Sequence, residues 1–325
     1  MSRKRTTPIA FTVVLTLVSI AIAFTPPTQK LDDLRKQLDA IADGVQGKLG
    51  YSLYHMTKKE ELDRFGDEMF PTDSTLKVGI MCAAMEKVEK GEIGYHNVRP
   101  LLQEDQTSGS GFLQYYKTGT EVEFKESMHQ MITVSDNTAT LMVMRWIGST
   151  DVVNNWLGRH GLKTTRLIVH HPLSEEMKRL ERDETAARQF METFNKWGMG
   201  VSTPNEMRRL MEMIVEGKAG TAAACDEMHR LLNHQYKDEG IASQIPPWIA
   251  VASKSGRSDH SQSDMAIVHS PSGTYVLTVF IKESKDTRSG LQNERSQAIR
   301  AISRAVWRHY NPDEKWSPPA GVEKY

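Results

Sequence analysis

Strand-like segments lie near the two ends of this chain and a long helical stretch lies between them, which narrows the architectures open to it. Residues 50–55 alternate like a strand and run into the charged turn Lys58-Lys59-Glu60-Glu61. Strand character returns only late, over residues 249–253, 265–269 and 275–281, with Pro271-Ser272-Gly273 as a hairpin turn between the last two. From about residue 95 to 233 the chain reads almost wholly helical, with breaks at Ser108-Gly109-Ser110-Gly111, Gly148, Gly161 and Gly198-Met199-Gly200. A strand must bury one face against something, so the two ends are expected to meet in one antiparallel sheet, with the middle as an inserted helical lobe.

The termini supply helices to cover that sheet. Residues 31–45 place Leu31, Leu34, Leu38 and Ile41 at helical spacing behind Asp32 and Asp33, and residues 293–310 form a second amphipathic helix. A further helix spans about 75–90 and is closed by Gly91. The tail, 311–325, contains Pro312, Pro318 and Pro319 and cannot continue the last helix. The expected fold class is α+β: an antiparallel sheet flanked by N- and C-terminal helices, plus an all-helical lobe, with a cleft between them. In residue terms, an α/β lobe takes about 28–72 and 245–310, and the helical lobe about 73–244.

Before this body, Arg3, Lys4 and Arg5 head an apolar run over residues 9–23 that ends in Ala21-Ile22-Ala23 and meets Pro26-Pro27. A run of fifteen residues is short for a bilayer, which needs about 20 in a helix, so residues 1–23 read as a signal peptide. Export to the periplasm or medium is expected, with an uncleaved membrane anchor as the alternative. Basic and acidic residues balance at 41 each over the whole chain, so no net positive field recruits nucleic acid. The two cysteines, Cys82 and Cys225, form no C-x-x-C pair and read as buried thiols ahead of a disulfide.

Three short motifs carry the chemistry. Ser74-Thr75-Leu76-Lys77 opens a helix, Ser135-Asp136-Asn137 follows a helical stretch, and Lys254-Ser255-Gly256 ends a strand. Positions three apart share a helix face, so the Ser74 and Lys77 side chains can meet. A serine hydroxyl is a poor nucleophile at neutral pH. A neighbouring amine can take its proton if burial and nearby positive charge lower the amine pKa. Lys254 could supply that charge and hold a substrate carboxylate. Ser135 could relay a proton to a leaving nitrogen, and Asn137 could donate to a substrate amide carbonyl. At a helix N-terminus the amide of Ser74 is free to face an oxyanion. Each motif alone is weak, but the three in this order arise by chance on the order of once in a thousand such chains.

In this combination the chain resembles the class A β-lactamase and penicillin-binding serine-hydrolase superfamily. The resemblance runs from about Leu31 to Tyr310 and also takes in Phe70-Pro71, Met131-Ile132, Thr138-Ala139-Thr140, Thr165-Arg166-Leu167 and Ser202-Thr203-Pro204. It implies a β-lactamase or transpeptidase-like fold and an acyl-enzyme on Ser74, with Lys77 as base, Ser135 as proton shuttle and Lys254 holding the substrate carboxylate. It further implies a substrate-binding edge at Ser255, Gly256 and Arg257, and an oxyanion hole made by the backbone amides of Ser74 and Arg257. The activity implied first is β-lactam hydrolysis, hence antibiotic resistance. The alternatives are a D-alanyl-D-alanine carboxypeptidase or related amide or ester hydrolase, and a penicilloyl sensor that acylates and stops. No cofactor and no metal are expected, and the partner is a small β-lactam or a D-Ala-D-Ala peptide met by a monomer.

One departure stands out. After T-R-L, class A enzymes carry E-P-E-L-N, whose Glu activates the deacylating water, whereas this chain reads Thr165-Arg166-Leu167-Ile168-Val169-His170-His171-Pro172-Leu173. His171 falls where that Glu would stand. With an unperturbed pKa of about 6.5, its imidazole is a candidate deacylation base, beside the reading that His171 packs against the lobe and shapes the turn before Pro172. The carboxylates that follow, Glu175, Glu176, Glu181 and Glu184, alternate with Lys178, Arg179 and Arg182 and read as a solvated helix face.

Overall fold

The structure, a computed structural model, describes residues 31–236 and 239–321. The expected signal peptide lies outside the described residues, and the first described element is helix α1 (Leu31–Asp43). Asp32 and Asp33 sit at its positive end and Leu34, Leu38 and Ala42 face inward. Strands β1 (Lys48–His55) and β2 (Glu60–Arg64) follow. Glu60 and Glu61, read above as part of the turn, belong to β2; only Leu62 of that strand is fully buried, so its five residues show no apolar alternation to detect.

The insert begins with β3 (Phe70–Pro71), a 3-10 turn (Asp73–Leu76) and α2 (Lys77–Glu89). Every residue of α2 from Lys77 to Met85 is buried, which makes it the central helix of the lobe, apolar all round. Then come β4 (Val98–Pro100), β5 (Glu121–Glu123), α3 (Phe124–Thr133), α4 (Asn137–Ile147), α5 (Thr150–Arg159), β6 (Arg166–Leu167), α6 (Glu175–Arg182), α7 (Glu184–Trp197), β7 (Gly200–Ser202), α8 (Pro204–Val215) and α9 (Ala222–Leu232). The middle is therefore not purely helical. β3, β7 and β6 form a small antiparallel sheet and β4 pairs with β5. Strands of two or three residues are too short to show a period of two.

The chain returns to the main sheet through β8 (Val251–Arg257), β9 (Gln262–Ser270) and β10 (Gly273–Lys282), then ends with α10 (Glu294–Tyr310), capped by the Asn293 side chain. The five strands order as β2-β1-β10-β9-β8, all antiparallel, so both ends of the chain do share one sheet. Its two faces separate by side-chain alternation. Leu53, Leu277 and Ala266 lie in register and pack with Leu38, Ile299 and Trp307 of α1 and α10. Val276, Ile267 and Ala252, the next row, join the core of the helical lobe.

Helix α8 docks on that inner face with polar bonds. Buried Arg208 donates to Ser52 Oγ (2.8 Å) and pairs with Glu61 and Glu212, while Thr278 donates to Pro204 O (2.9 Å). α6 and α7 bury no residue, in keeping with the solvated face read from their charges. Cys82 and Cys225 are both buried free thiols, and burial pushes both upward in pKa. Among the described residues no helix is long and apolar enough to cross a membrane.

Candidate active site

Ser74 stands half-buried in the 3-10 turn before α2, and Lys77 is the first residue of that helix. The turn runs directly into the helix, so the two residues stand three positions apart at one junction. Lys77 is fully buried, and its ammonium nitrogen reaches Ser135 O (2.6 Å), Ser135 Oγ (3.2 Å) and Asn137 Oδ1 (2.8 Å). Lys254, on β8, reaches the same hydroxyl, Ser135 Oγ, at 3.0 Å and Ser255 O at 2.9 Å. All three sequence motifs therefore converge on one point between the lobes.

Two buried amines this close perturb each other. Burial first, then the charge of Lys254, hold Lys77 well below the usual lysine range, with Asp136 opposing. Burial brings Lys254 down to about 7, against the carboxylate of Asp264. Burial thus moves both amines towards the neutral form, which is the state a general base requires. A neutral Lys77 has a lone pair. The Ser135 hydroxyl can turn to donate into it while accepting from Lys254, giving an unbroken proton path between the amines.

Ser135 is held at φ 58°, left-handed for a residue with a side chain, so its surroundings must impose that geometry. Asp136 does much of this. Its buried carboxylate caps α4 through Ala139 N (2.8 Å) and also accepts from Phe112 N (2.6 Å) and Leu113 N (2.9 Å). Ser110 Oγ donates to Ser135 O (2.5 Å), and Asn137 Nδ2 donates to Ser108 O (3.1 Å). The Ser108-to-Gly111 turn is thus a wall of the site, a role the sequence did not reveal. Gly111 is required there, because a Cβ would lie 2.1 Å from Asp136 Cγ and φ is 98°.

Gly256 has the same kind of reason. A Cβ on it would stand 2.5 Å from Ser74 N, so only glycine lets β8 lie against the Ser74 turn. Arg257 follows at the end of β8, with its side chain turned to Ser296 Oγ (2.9 Å), and Ser255 is exposed at the strand edge.

His171 is placed differently from the expectation. It is buried, donates through Nε2 to Asp105 Oδ1 (2.9 Å), and accepts at Nδ1 from Leu173 N (3.1 Å). The proton sits on one ring nitrogen and the other lone pair is taken by a backbone amide, so no basic position faces water in this arrangement. Asp105 also holds Arg145 through two bonds (2.9 and 2.8 Å) and accepts from Leu102 N (2.8 Å). Burial favours its neutral form, but these donors outweigh burial and keep its carboxyl below the usual range.

Residues 33–310 match the model of the beta-lactamase enzyme family. The chain belongs to that family. Membership makes it a serine hydrolase of the class that opens β-lactam amide bonds. Among similar family proteins is beta-lactamase VEB-1 of Pseudomonas aeruginosa, 20% identical over 310 residues, spanning 92% of this chain and 97% of VEB-1. The solved beta-lactamase of Sphaerobacter thermophilus superposes with a TM-score of 0.72 at 23% identity, covering 85% of this chain and 97% of that one. A mutant of PBP-A solved as its acyl-enzyme complex with penicillin G gives 0.73 at 22% identity, covering 89% and 100%. At these identities the structural likenesses establish the family's fold.

Proposed function

We propose that this β-lactamase-family chain works through an acyl-enzyme on Ser74, and that the observation carrying this is the single hydroxyl of Ser135 shared by Lys77 and Lys254. Neutral Lys77 takes the Ser74 proton as Oγ attacks the lactam carbonyl. The carbonyl oxygen becomes an oxyanion facing the amides of Ser74 and Arg257. As the C–N bond breaks, the proton held on Lys77 passes through Ser135 Oγ to the departing nitrogen. Lys254 binds the substrate carboxylate, which also restores charge beside an amine that burial has weakened. Asn137, fixed by Lys77 and Ser108, has a second amide proton for the substrate side-chain carbonyl.

Deacylation is the step in which the chain departs from the class A pattern. With the His171 lone pair occupied, we assign activation of the deacylating water to Lys77, neutral again once the leaving nitrogen has been protonated. The test is incubation with a chromogenic cephalosporin followed by intact-mass analysis. Turnover with a transient adduct is expected. A lasting adduct without turnover would replace this reading by a penicilloyl sensor. The engaged His171 also keeps a second reading in view, a D-alanyl-D-alanine carboxypeptidase, for which cleavage of D-Ala-D-Ala peptides without cephalosporin turnover would be the sign. Export is proposed on the charged head and apolar run before Pro26, and sequencing the mature N-terminus tests it.

A further inference from the structure

Asp73, the residue immediately before the nucleophile, is an aspartate in an improbable place. Its backbone is left-handed, at φ 46°, and it is 9% exposed. Burial raises its carboxyl to about 6 against the opposing effects of the Ser261 hydrogen bond, the Arg295 charge and Ser258. A buried carboxylate in a strained turn is a cost, so its bonds need an account.

They lead to the other half of the site. Ser261 Oγ donates to Asp73 Oδ1 (3.0 Å) and Oδ2 (2.8 Å) across 188 residues of sequence. Ser261 lies in the turn joining β8 to β9 and is itself rigidly held. Its carbonyl accepts from Ser258 N (3.0 Å) and from Arg295 Nη1 (2.9 Å), and its hydroxyl meets Ser258 Oγ at 2.6 Å. Arg295, 1% exposed, also donates to Ser258 O (2.9 Å). The hairpin tip is thus one unit fastened to α10. The same hairpin carries Arg257, whereas the turn of Asp73 carries Ser74. Backbone contact at Gly256 brings the two segments together, and Ser263 Oγ ties Thr72 O (2.6 Å) one residue before Asp73. The Asp73 carboxylate, bonded to Ser261 and also to Ser258 of the same hairpin tip, is the side-chain tie that adjoins the nucleophile itself.

We propose that Asp73 is a positioning residue for acylation, its bond to Ser261 fixing the Ser74 amide and hydroxyl relative to the Arg257 amide. The inference rests on the reading of Ser74 as nucleophile. An oxyanion hole made from two segments stabilises charge only while their spacing is kept, and small misplacements of such groups cost on the order of 10²-fold in rate.

The test measures the acylation rate constant and the dissociation constant of the preceding noncovalent complex for a fluorescent penicillin, in Asp73→Ala, Asp73→Asn, Ser261→Ala and Ser74→Ala. Thermal melting checks that each variant folds. Asp73→Ala and Ser261→Ala should each lower the rate constant by about tenfold to a hundredfold with the dissociation constant unchanged. Asp73→Asn, which can still accept from Ser261, should restore most of the rate. Inhibition by a phenylboronic acid, whose tetrahedral serine adduct needs the same two amides, should weaken in parallel with the rate. If Asp73→Ala does not fold, Ser261→Ala carries the comparison, since it leaves the carboxylate in place. A wild-type rate in a folded Asp73→Ala or Ser261→Ala, or a loss confined to noncovalent binding, overturns the proposal while leaving Ser74 as nucleophile. Labelling of Ser74→Ala would instead overturn the reading beneath it.

Discussion

Lys77 and Lys254 meet on the same oxygen, Ser135 Oγ, at 3.2 and 3.0 Å, although they enter from a helix of one lobe and a strand of the other. Two buried ammonium groups could not share so small a space without mutual repulsion, so the arrangement itself favours the neutral amines that burial also favours. Under the proposed mechanism, the base for serine activation is therefore made by the lobe interface. Neither Ser74-x-x-Lys77 nor the helix that carries it would produce it alone.

That coupling sets a pH dependence. The charge of Lys254 is the second cause, after burial, of the low pKa of Lys77. Removing it in Lys254→Ala lets Lys77 hold its proton to higher pH. The acid limb of the acylation rate, measured with a fluorescent penicillin across pH 5–9, is expected to move upward and the plateau to fall. A limb that stays in place would take Lys254 out of the electrostatics of the site.

The same amines oppose stability, and the sign can be worked out. Lys254 is depressed to about 7 in the fold, whereas an unfolded lysine titrates near 10.4, so between these values the unfolded chain binds the extra proton. Stability contributed through this group therefore rises with pH across that window and is least below about 7. Lys254→Met is expected to melt higher than the wild type at pH 6, by a margin on the order of 1–4 kcal/mol. The margin should narrow as pH is raised towards 10. Calorimetry at several pH values checks it, and a constant or widening margin would contradict the buried-amine account.

Asp136 is expected to matter through the backbone it holds. Asp136→Ala would orphan the amides of Phe112, Leu113 and Ala139 in a buried setting and remove the cap of α4. Losing a cap costs about 1 kcal/mol and each unsatisfied buried donor about 1–3 kcal/mol. Urea unfolding should show a loss of at least about 3 kcal/mol on those figures, with penicillin labelling slowed because Ser135 loses its support. Unfolding within the error of the wild type would mean that water replaces the carboxylate.

How far the sequence revealed this depended on whether the determinant was local. The strands over 262–282 carry β-branched and aromatic residues in apolar runs split by a Pro-Ser-Gly turn, and the helix after Asn293 has an amphipathic period, so both were legible. Strands β3, β6 and β7 have two or three residues each and were not. The chemistry-bearing residues could be named from motifs, yet their meeting at Ser135 spans separations of 58 and 119 residues. Asp136 carried a readable signal, an Asx residue directly before an apolar helix, which was read only as part of a motif. Asp73 and Asp105 carried none, because what defines them is a partner 188 or 66 residues away.

His171 is where that distinction has its sharpest consequence. Aligned on Thr165-Arg166-Leu167, it stands in place of a catalytic carboxylate, and an imidazole there invites the role of base. The ring instead bridges Asp105 and the Leu173 amide, fastening the segment that leads into α6 to the loop that carries Arg145's partner. Losing a buried hydrogen-bonded side chain while Asp105 keeps its two bonds from Arg145 should cost about 1–3 kcal/mol. His171→Ala is therefore expected to melt lower than the wild type and to acylate at nearly the same rate. Its acyl-enzyme, followed by intact mass after penicillin is removed, should decay with a lifetime close to that of the wild type. Loss of a general base would instead lengthen that lifetime on the order of 10²-fold or more. A change of that size, with acylation untouched, would return deacylation to His171 and require the ring to leave Leu173 during the reaction.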